Sequence, residues 1–222
     1  MRVVVNYRSS SREADDVVSS ITAAGGSAMA VRADVRDDAA VLGMVEQVRS
    51  AMGEVAVLVH NALIPYAIKS FDEISWDELG GKLDQEMRAA FLLTKAVVPG
   101  MAAIGFGRIV YLGTVLSRRP RAGMIALGVS KAALTQFARY VAQEVGAHGI
   151  TVNVVAPGPV GETTIANAAL DAETQRSQAA QTALGRIATP DDVARAVAFY
   201  AGDDSGFITG TTAPVNGGLD MD

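Results

Sequence analysis

The chain has 222 residues, of which 50% are hydrophobic and 19% charged, and this balance excludes an intrinsically disordered chain. The length predicts one domain spanning residues 1–222. The absence of cysteine excludes disulfides, thiolate catalysis and cysteine-ligated metals, and the 2 histidines are too few for a histidine-based metal site, so we expect no metal. The formal net charge of -5 argues against nucleic-acid binding.

We expect neither a membrane-spanning helix nor a signal peptide for export. No apolar run reaches the roughly 18 residues that a membrane span needs. The N-terminus does not show a basic region followed by an apolar stretch and a cleavage site. We therefore expect a cytoplasmic protein that does not contact a membrane.

Strand and helix signals alternate along the chain. Short apolar runs, several of them β-branched, predict strands at 2–7, 28–33, 55–59, 108–112, 150–155 and 212–215. Apolar residues three and four apart predict helices between them, with 76–98 and 124–145 the longest. Pro99 and Gly100 are predicted to end the first of these, and Thr189 is predicted to cap the last helix.

The first two helices should each bury an apolar face. The predicted faces are Ala14, Val17, Val18 and Ile21 in the first helix, and Val41, Met44, Val45, Val48 and Met52 in the second. Asp37 is the expected cap of the second helix. Because the strands are continuously apolar, they predict a parallel α/β sheet covered on both faces. The polar segment 161–186 is either a lid over the ligand crevice or an irregular pair of surface helices.

Several short motifs follow one another in a fixed order. They are VVNYRSS, ADV at 33–35, VLVHNA at 57–62, GRIVYLGT at 107–114, SKAAL at 130–134, GITVNVVAPG at 149–158, ITGTT at 208–212 and VNGG at 215–218. Together they resemble the short-chain dehydrogenase/reductase family, and within it the 3-oxoacyl-acyl-carrier-protein reductase-like members. The resemblance implies a Rossmann-type doubly wound parallel sheet and reduction of a small carbonyl or acyl substrate with NADP, in a homodimer or homotetramer.

The family begins with a strand and a glycine-rich turn, TGxxxGxG, that this sequence lacks. Met1 leads directly into what resembles the second strand of the family. We therefore expect an unpaired gap bordered by Val3 and Val5 on one side and by Val57 and Val59 on the other. A start codon assigned about 30–40 residues too late would explain this. The alternatives are a genuine truncation, tolerated by rearrangement or by a partner, and a chain that is not stable as written.

The resemblance also assigns the catalytic positions. It implies that Thr114 stands at the position of the family's serine and that Lys131 is the family's lysine. The tyrosine that moves the proton in the family is Leu127 here. The candidates that remain as replacement proton donors are Tyr66, His60, Glu86 and a water molecule. Leu63 replaces a glycine near the cofactor, and Gln85 and Glu86 stand where the family has its supporting asparagine.

The cofactor residues are carried over in the same way. Arg8 and Ser9 are expected to bind a 2′-phosphate and so to favour NADP, although an exposed arginine at a strand end explains Arg8 equally simply. Asp34 and Val35 would hold the adenine, unless Asp34 caps a helix. The remaining positions, which plain turns or a solvent-exposed lysine could also explain, are Asn61, Ala62, Lys131, Pro157 and Gly158. Glu162 would lie beside the pyrophosphate and repel it.

Two functions follow from these residues. The first is NADP-dependent carbonyl reduction with a divergent active site. The alternative is a redox-inactive family member that acts as a non-redox enzyme or as a partner subunit. Arg118, Arg119 and Arg121 either receive an anionic substrate tail or form a solvated loop. The apolar residues that could form the oligomer contact, or equally the core, are Ala89, Ala90, Leu93, Val97, Phe137 and Val141.

Overall fold

The computed structural model of the protein describes residues 1–161 and 171–221. Strands and helices alternate through this part of the chain, as the sequence predicts. The elements are β1 (Arg2–Tyr7), α1 (Ser11–Ala23), β2 (Ser27–Arg32), α2 (Asp38–Met52), β3 (Val57–His60), α3 (Trp76–Ile104), β4 (Gly107–Leu112), α4 (Ile125–Val145), β5 (Ile150–Pro157), α5 (Ala172–Ala180), α6 (Pro190–Ala201) and β6 (Thr212–Val215). The predicted Rossmann-like α/β fold is thereby confirmed.

All strand pairs in the described residues are parallel, but they form two separate sheets. One sheet has the order β3-β4-β5-β6, and the other contains β1 and β2. Their registers pair Val57 with Arg108 and Arg2 with Ser27. Each of β1 and β3 is therefore bonded to a neighbouring strand along one edge only.

A cavity of about 560 Å³ separates β1 from β3. Val3 and Val4 line it from β1, and Val57–Val59 line it from β3. We call this cavity the strand slot, because the backbone groups on both of its long sides are those that an additional strand would pair with. The prediction of a gap between these two strands is confirmed. What fills it in the native protein stays a prediction.

Helix α3 connects the two sheets through the core. Its residues Ala90, Val97 and Met101 belong to a cluster with β4, β5 and α4. Ala89 and Leu93 belong to a second cluster with β2 and α2. The described structure thus assigns these α3 residues to the core, and α3 contributes apolar contacts to both sides of the strand slot.

Both faces of the larger sheet are covered. Ile109 and Tyr111 of β4 pack in the cluster with α3 and α4. Arg108 points to the opposite face, because side chains alternate along a strand, and its Nε donates to the carbonyl oxygen of Gly202 immediately after α6. The predicted catalytic residues lie elsewhere, near the carboxyl ends of β3 and β4. The beginning of α4 and the middle of α3 lie close to these strand ends.

Several element bounds differ from the sequence predictions by one or two residues, and three differences have a clear physical reason. Helix α3 continues through Pro99 to Ile104, since proline removes only one backbone donor while Val97 and Met101 stay buried on either side. Only Ala14 of the predicted α1 face is buried, and Val17 is 46% exposed, because α1 packs on the small sheet alone. Strand β3 begins at residue 57 rather than 55, where pairing with β4 begins.

Helix α3 is also long and apolar enough, by length and composition only, to cross a membrane. Charged residues such as Arg88 and Lys95 interrupt this helix, so the expectation that no apolar run reaches about 18 residues still holds. The helix carries the buried ionisable residues Lys82 and Glu86 and packs against α4 and the larger sheet. These contacts are those of a core helix.

Candidate active site

A cluster of three buried charged side chains lies where α3 and α4 face each other at the end of β4. Glu86 on α3 accepts hydrogen bonds from Lys131 of α4, at 2.7 Å, and from Lys82, one turn earlier on α3. Lys131 also donates to the carbonyl oxygen of Leu112 at 2.6 Å, and Lys82 donates to that of Ile64 at 2.9 Å. We call Lys82, Glu86 and Lys131 the buried triad.

The buried triad is almost completely shielded from solvent. The side chains of Lys82, Glu86 and Lys131 are 1%, 0% and 6% exposed. Burial lowers the pKa of Lys82, although the hydrogen bond to Glu86 opposes this. Burial alone would raise the pKa of Glu86, but the two ammonium groups outweigh it and the net shift is downward. Glu86 is therefore a carboxylate at neutral pH.

His60 at the end of β3 lies beside the triad and is 2% exposed. Neither ring nitrogen has a hydrogen-bond partner among the described residues. The ring packs edge-on against Tyr111, with 6.1 Å between centroids. Burial, reinforced by the ammonium group of Lys131, lowers the pKa of His60 to about 4. His60 is consequently neutral at physiological pH and has no readily available proton.

Leu127, the position that the resemblance assigns to the phenol, lies on the same face of α4 as Lys131, one helical turn earlier. Leu127 is 9% exposed and packs in the interior. Tyr111 is fully buried, as the sequence predicts, and bonds to Thr94; burial raises its pKa. Tyr66 lies on the other side of the triad, with its ring centroid 5.8 Å from Lys82 Nζ. Neither tyrosine occupies the place of the phenol.

Thr114 follows β4 and begins a short turn of 3-10 helix, Val115–Ser117. Its Oγ1 accepts a hydrogen bond from the backbone N–H of Leu116 at 3.3 Å. The hydroxyl proton of Thr114 is then available for donation, because the oxygen serves as acceptor in that bond. Thr114 and Lys131 both lie at the carboxyl end of β4, which is where ligands bind in open parallel sheets.

The predicted phosphate site lies at the start of α1. Arg8 and Ser9 are exposed there. Ser10 occupies the N-cap position, but its side chain makes no capping hydrogen bond. The first-turn N–H groups of α1 are therefore available to an anion, and the dipole of the helix favours one. This end of the crevice fits a phosphate.

The adenine position is less open. Asp34 Oδ1 accepts from Arg36 Nε at 2.8 Å, and Oδ2 accepts from Arg36 Nη2 at 2.6 Å. These hydrogen bonds lower the pKa of Asp34 to about 2. Arg36 also bonds to Gln85 of α3 at 2.6 Å. An adenine amine would have to share the Asp34 carboxylate with Arg36. Asp37, not Asp34, caps α2 by accepting from Ala40.

The remaining cofactor positions lie along the same edge of the sheets. Asn61 is exposed and Ala62 half-buried after β3, while Val35 is buried in the core beside α2. Pro157 ends β5, and a Cβ at Gly158 would lie 3.1 Å from that of Asn216, so glycine permits a close backbone approach there. The roles of these residues, Thr114 and Lys131 stay predictions. Glu162 lies outside the described residues, as do positions 163–170 of segment 161–186.

The arginine cluster is tied in part to the C-terminal segment. Arg118 pairs with Asp220 at 3.3 Å, and Arg119 donates to the carbonyl oxygen of Leu219. Within residues 1–161 and 171–221, no group of histidine and acidic side chains could hold a metal ion. The polar side chains described at the site are ammonium, carboxylate and hydroxyl groups.

Sequence reasoning singled out Lys131 and Glu86 but missed Lys82. The signal was present: Lys82 and Glu86 are four residues apart on a helix, a spacing that places both side chains on one face. Arg36 and its contact with Gln85 were missed as well. No local pattern could have shown that contact, since it joins the end of β2 to α3 across the fold.

Comparisons with known proteins agree on the family. A family model described as enoyl-(acyl carrier protein) reductase matches residues 1–220. The 3-oxoacyl-(acyl-carrier-protein) reductase of Salmonella typhimurium is 35% identical over 89% of this chain and 80% of its own. The acetoacetyl-CoA reductase of Allochromatium vinosum is 34% identical over 99% and 88%.

Solved structures give the same result. A short-chain dehydrogenase/reductase of Serratia marcescens, determined as a double mutant, superposes with a TM-score of 0.88 at 30% identity. The match covers 99% of this chain and 88% of that one. The protein therefore belongs to the short-chain dehydrogenase/reductase family and resembles its 3-oxoacyl-acyl-carrier-protein reductases.

Proposed function

We propose that the protein uses NADPH to reduce the carbonyl group of a small acyl substrate, such as a 3-oxoacyl thioester. The observation that carries this proposal is the position of Lys131 and Thr114 at the carboxyl end of β4, in a chain similar to reductases of such substrates. Localisation in the cytoplasm and assembly into a homodimer or homotetramer are part of the proposal. Exposed apolar residues on α3 and α4, such as Phe91 and Val129, support a homo-oligomer.

NADPH would supply the hydride, as nicotinamide cofactors do. Arg8, Ser9 and the start of α1 would hold its 2′-phosphate, because an exposed guanidinium and uncapped N–H groups favour a doubly charged anion. The rest of the cofactor would lie along the strand ends, in contact with Asn61, Ala62, Pro157 and Gly158. Asp34 would contact the adenine only while also bonded to Arg36.

Thr114 and Lys131 would orient the substrate. The Thr114 hydroxyl donates to the carbonyl oxygen and so fixes the carbon that accepts the hydride. An ammonium group has three N–H donors, and Lys131 donates one hydrogen bond to Glu86 and one to the carbonyl oxygen of Leu112. One N–H of Lys131 is therefore left for a ligand.

A second candidate function is that of a family member without redox chemistry, acting as a non-redox enzyme or as a partner subunit. Leu127 favours it, since the leucine side chain cannot move a proton. General acid catalysis is typically worth about 10²–10⁴-fold in rate, so its complete loss would leave little turnover.

Titration with NADPH, followed by turnover of acetoacetyl-CoA, tests both candidates. For a reductase we expect saturable NADPH binding and NADPH oxidation that depends on the thioester. The absence of binding would overturn the proposed function. Binding without turnover in the native chain, together with turnover in Leu127→Tyr, would establish the redox-inactive candidate instead.

A further inference from the structure

The buried triad carries one more positive charge than negative. Glu86 accepts from both lysines, and its ionisable neighbours in the described part of the chain do not supply a counter-charge: His60 is neutral and Tyr111 is held in its protonated form. An unpaired charge inside a protein is unfavourable, because burial removes the water that would solvate it. Loss of one proton would remove this unpaired charge, so burial favours the release of a proton from the cluster.

The hydrogen bonds of the triad form a continuous path. Lys82 donates to one oxygen of Glu86, and Lys131 donates to the other at 2.7 Å. A carboxylate that faces both ammonium groups can take a proton from one lysine and, after the carboxyl group rotates, give that proton to the other. The path ends at Lys131, which lies one turn after Leu127 at the carboxyl end of β4.

We propose that Lys131 donates the proton to the substrate carbonyl oxygen in place of the missing phenol, and that Lys82 restores this proton through Glu86. This inference rests on the proposed function. The hydride adds to the carbonyl carbon, the C=O π bond breaks, and its electron pair takes the proton from Lys131 Nζ. The product is an alcohol, and Lys131 is left as a neutral amine.

The proton is then returned in two successive transfers. Lys82 first gives a proton to Oε2 of the Glu86 carboxylate, which becomes a neutral carboxylic acid. Rotation of this carboxyl group brings the same proton to the neutral amine of Lys131, which takes it, and Glu86 is again a carboxylate. Lys82 becomes the neutral amine, and its low exposure favours that uncharged form. Solvent reprotonates Lys82 on the side of the loop containing Ile64 and Tyr66, which contact its ammonium group. In this scheme Lys131 is catalytic, whereas Lys82 and Glu86 act through it.

The other groups near the crevice do not serve this role. Glu86 is ionised, so it can pass a proton but has none to donate at the start. The ring of Tyr66 lies against Lys82 rather than Lys131. The Thr114 hydroxyl can orient the carbonyl oxygen but is too weak an acid to supply the proton.

A double-mutant experiment separates the proton path from a purely structural ion pair. We expect Lys82→Met to lower kcat for acetoacetyl-CoA about tenfold or more in the native background. In a Leu127→Tyr background a phenol supplies the proton, and the same substitution should lower kcat less than about threefold. Lys69→Met is the matched control, since it removes an exposed lysine that precedes α3 and bonds to Glu78 in the first turn of α3. It should change kcat in neither background.

Equal losses from Lys82→Met in both backgrounds, or no loss in either, would overturn the inference while leaving the proposed function intact. A native chain that neither binds nor oxidises NADPH would overturn the proposed function first, and the inference with it. These two failures are distinguishable, because the second is visible before any substitution is made.

NMR titration of ¹³C-lysine-labelled protein provides a measurement independent of turnover and of cofactor. The ammonium group of Lys131 lowers the pKa of Lys82, so we expect Lys131→Met to raise the titration midpoint of Lys82. Glu86→Gln should lower that midpoint, since it removes the carboxylate that favours the ammonium form. A midpoint for Lys82 that neither substitution moves would show that the two lysines do not share a proton, and would overturn the inference even if the Leu127→Tyr variant fails to fold.

Discussion

The carboxylate of Glu86 on α3 accepts a hydrogen bond of 2.7 Å from the ammonium group of Lys131 on α4, and both side chains are almost completely buried. This contact joins the two long helices directly below the end of β4. It also fixes the lysine that the family resemblance assigns to catalysis. The contact therefore holds α3 against α4 at the position that the resemblance assigns to catalysis.

Replacement of Glu86 by leucine should destabilise the fold strongly. Glu86→Leu leaves two buried ammonium groups without a counter-charge, which typically costs about 3–5 kcal/mol. Urea unfolding at pH 7 measures the free energy of unfolding. Glu46→Leu is the control, because Glu46 pairs with Arg49 on the exposed surface of α2 and such pairs contribute about 1 kcal/mol or less. A cost for Glu86→Leu as small as for the control would contradict the buried ion pair.

Removal of the whole triad should be tolerated much better. We expect the combined Lys82→Met, Glu86→Leu and Lys131→Met variant to recover most of the stability that Glu86→Leu loses, since buried ion pairs are often no more stabilising than apolar replacements of similar volume. The same unfolding assay measures this. A triple variant less stable than Glu86→Leu alone would show that the triad contributes net stability.

Stability should fall as the pH falls through the titration range of His60. The pKa of His60 is about 4 in the folded protein, against an ordinary value of 6.5 that applies to the unfolded chain. Between pH 4 and pH 6.5 the unfolded state therefore binds more protons than the folded state. The free energy of unfolding should therefore decrease by about 2 kcal/mol between pH 7 and pH 5 from this residue alone. His60→Phe keeps an aromatic ring against Tyr111 and should remove that part of the decrease. An unchanged pH dependence in His60→Phe would contradict the lowered pKa.

Hydrogen exchange should distinguish the strands beside the strand slot from the central strands. Backbone N–H groups of β1 and β3 that point into the slot have no strand partner in the described structure, so they should exchange faster than those of β4 and β5. Amide exchange followed by NMR measures this directly. Protection in β3 equal to that in β5 would show that the slot is filled in solution.

Arg8 should determine the preference for the phosphorylated cofactor. We expect Arg8→Met to weaken NADPH binding about 10- to 100-fold, the value of a charge-assisted hydrogen bond, and to leave NADH binding nearly unchanged. Fluorescence titration with both cofactors gives the ratio. Arg49→Met, which removes an exposed arginine from α2, is the control for net charge. An equal loss for NADH and NADPH would contradict a 2′-phosphate contact.

Much of the fold was predictable from local sequence signals. The bounds of β1 and β6 agree with the predictions, and the caps at Asp37 and Thr189 are present. These features depend on the chemistry of adjacent residues, such as β-branched runs and short polar side chains before a helix. The path of α3 through Pro99 was not predictable in this way, because buried contacts on both sides of the proline outweigh its local preference.

The sequence by itself determined the order of strands and helices and the family, since both are written in consecutive residues, and it predicts that Leu127 stands at the position of the family's phenol. Only the tertiary structure decided which charged side chains meet: Lys82 and Glu86 share a helix with Trp76, yet it is packing against α4 that closes the triad with Lys131. It also decided that Arg36 shares the carboxylate of Asp34 and that β1 and β3 face an open slot. The physical reason is that pKa values, buried charge and unpaired backbone groups depend on neighbours distant in sequence, which only the folded chain brings together.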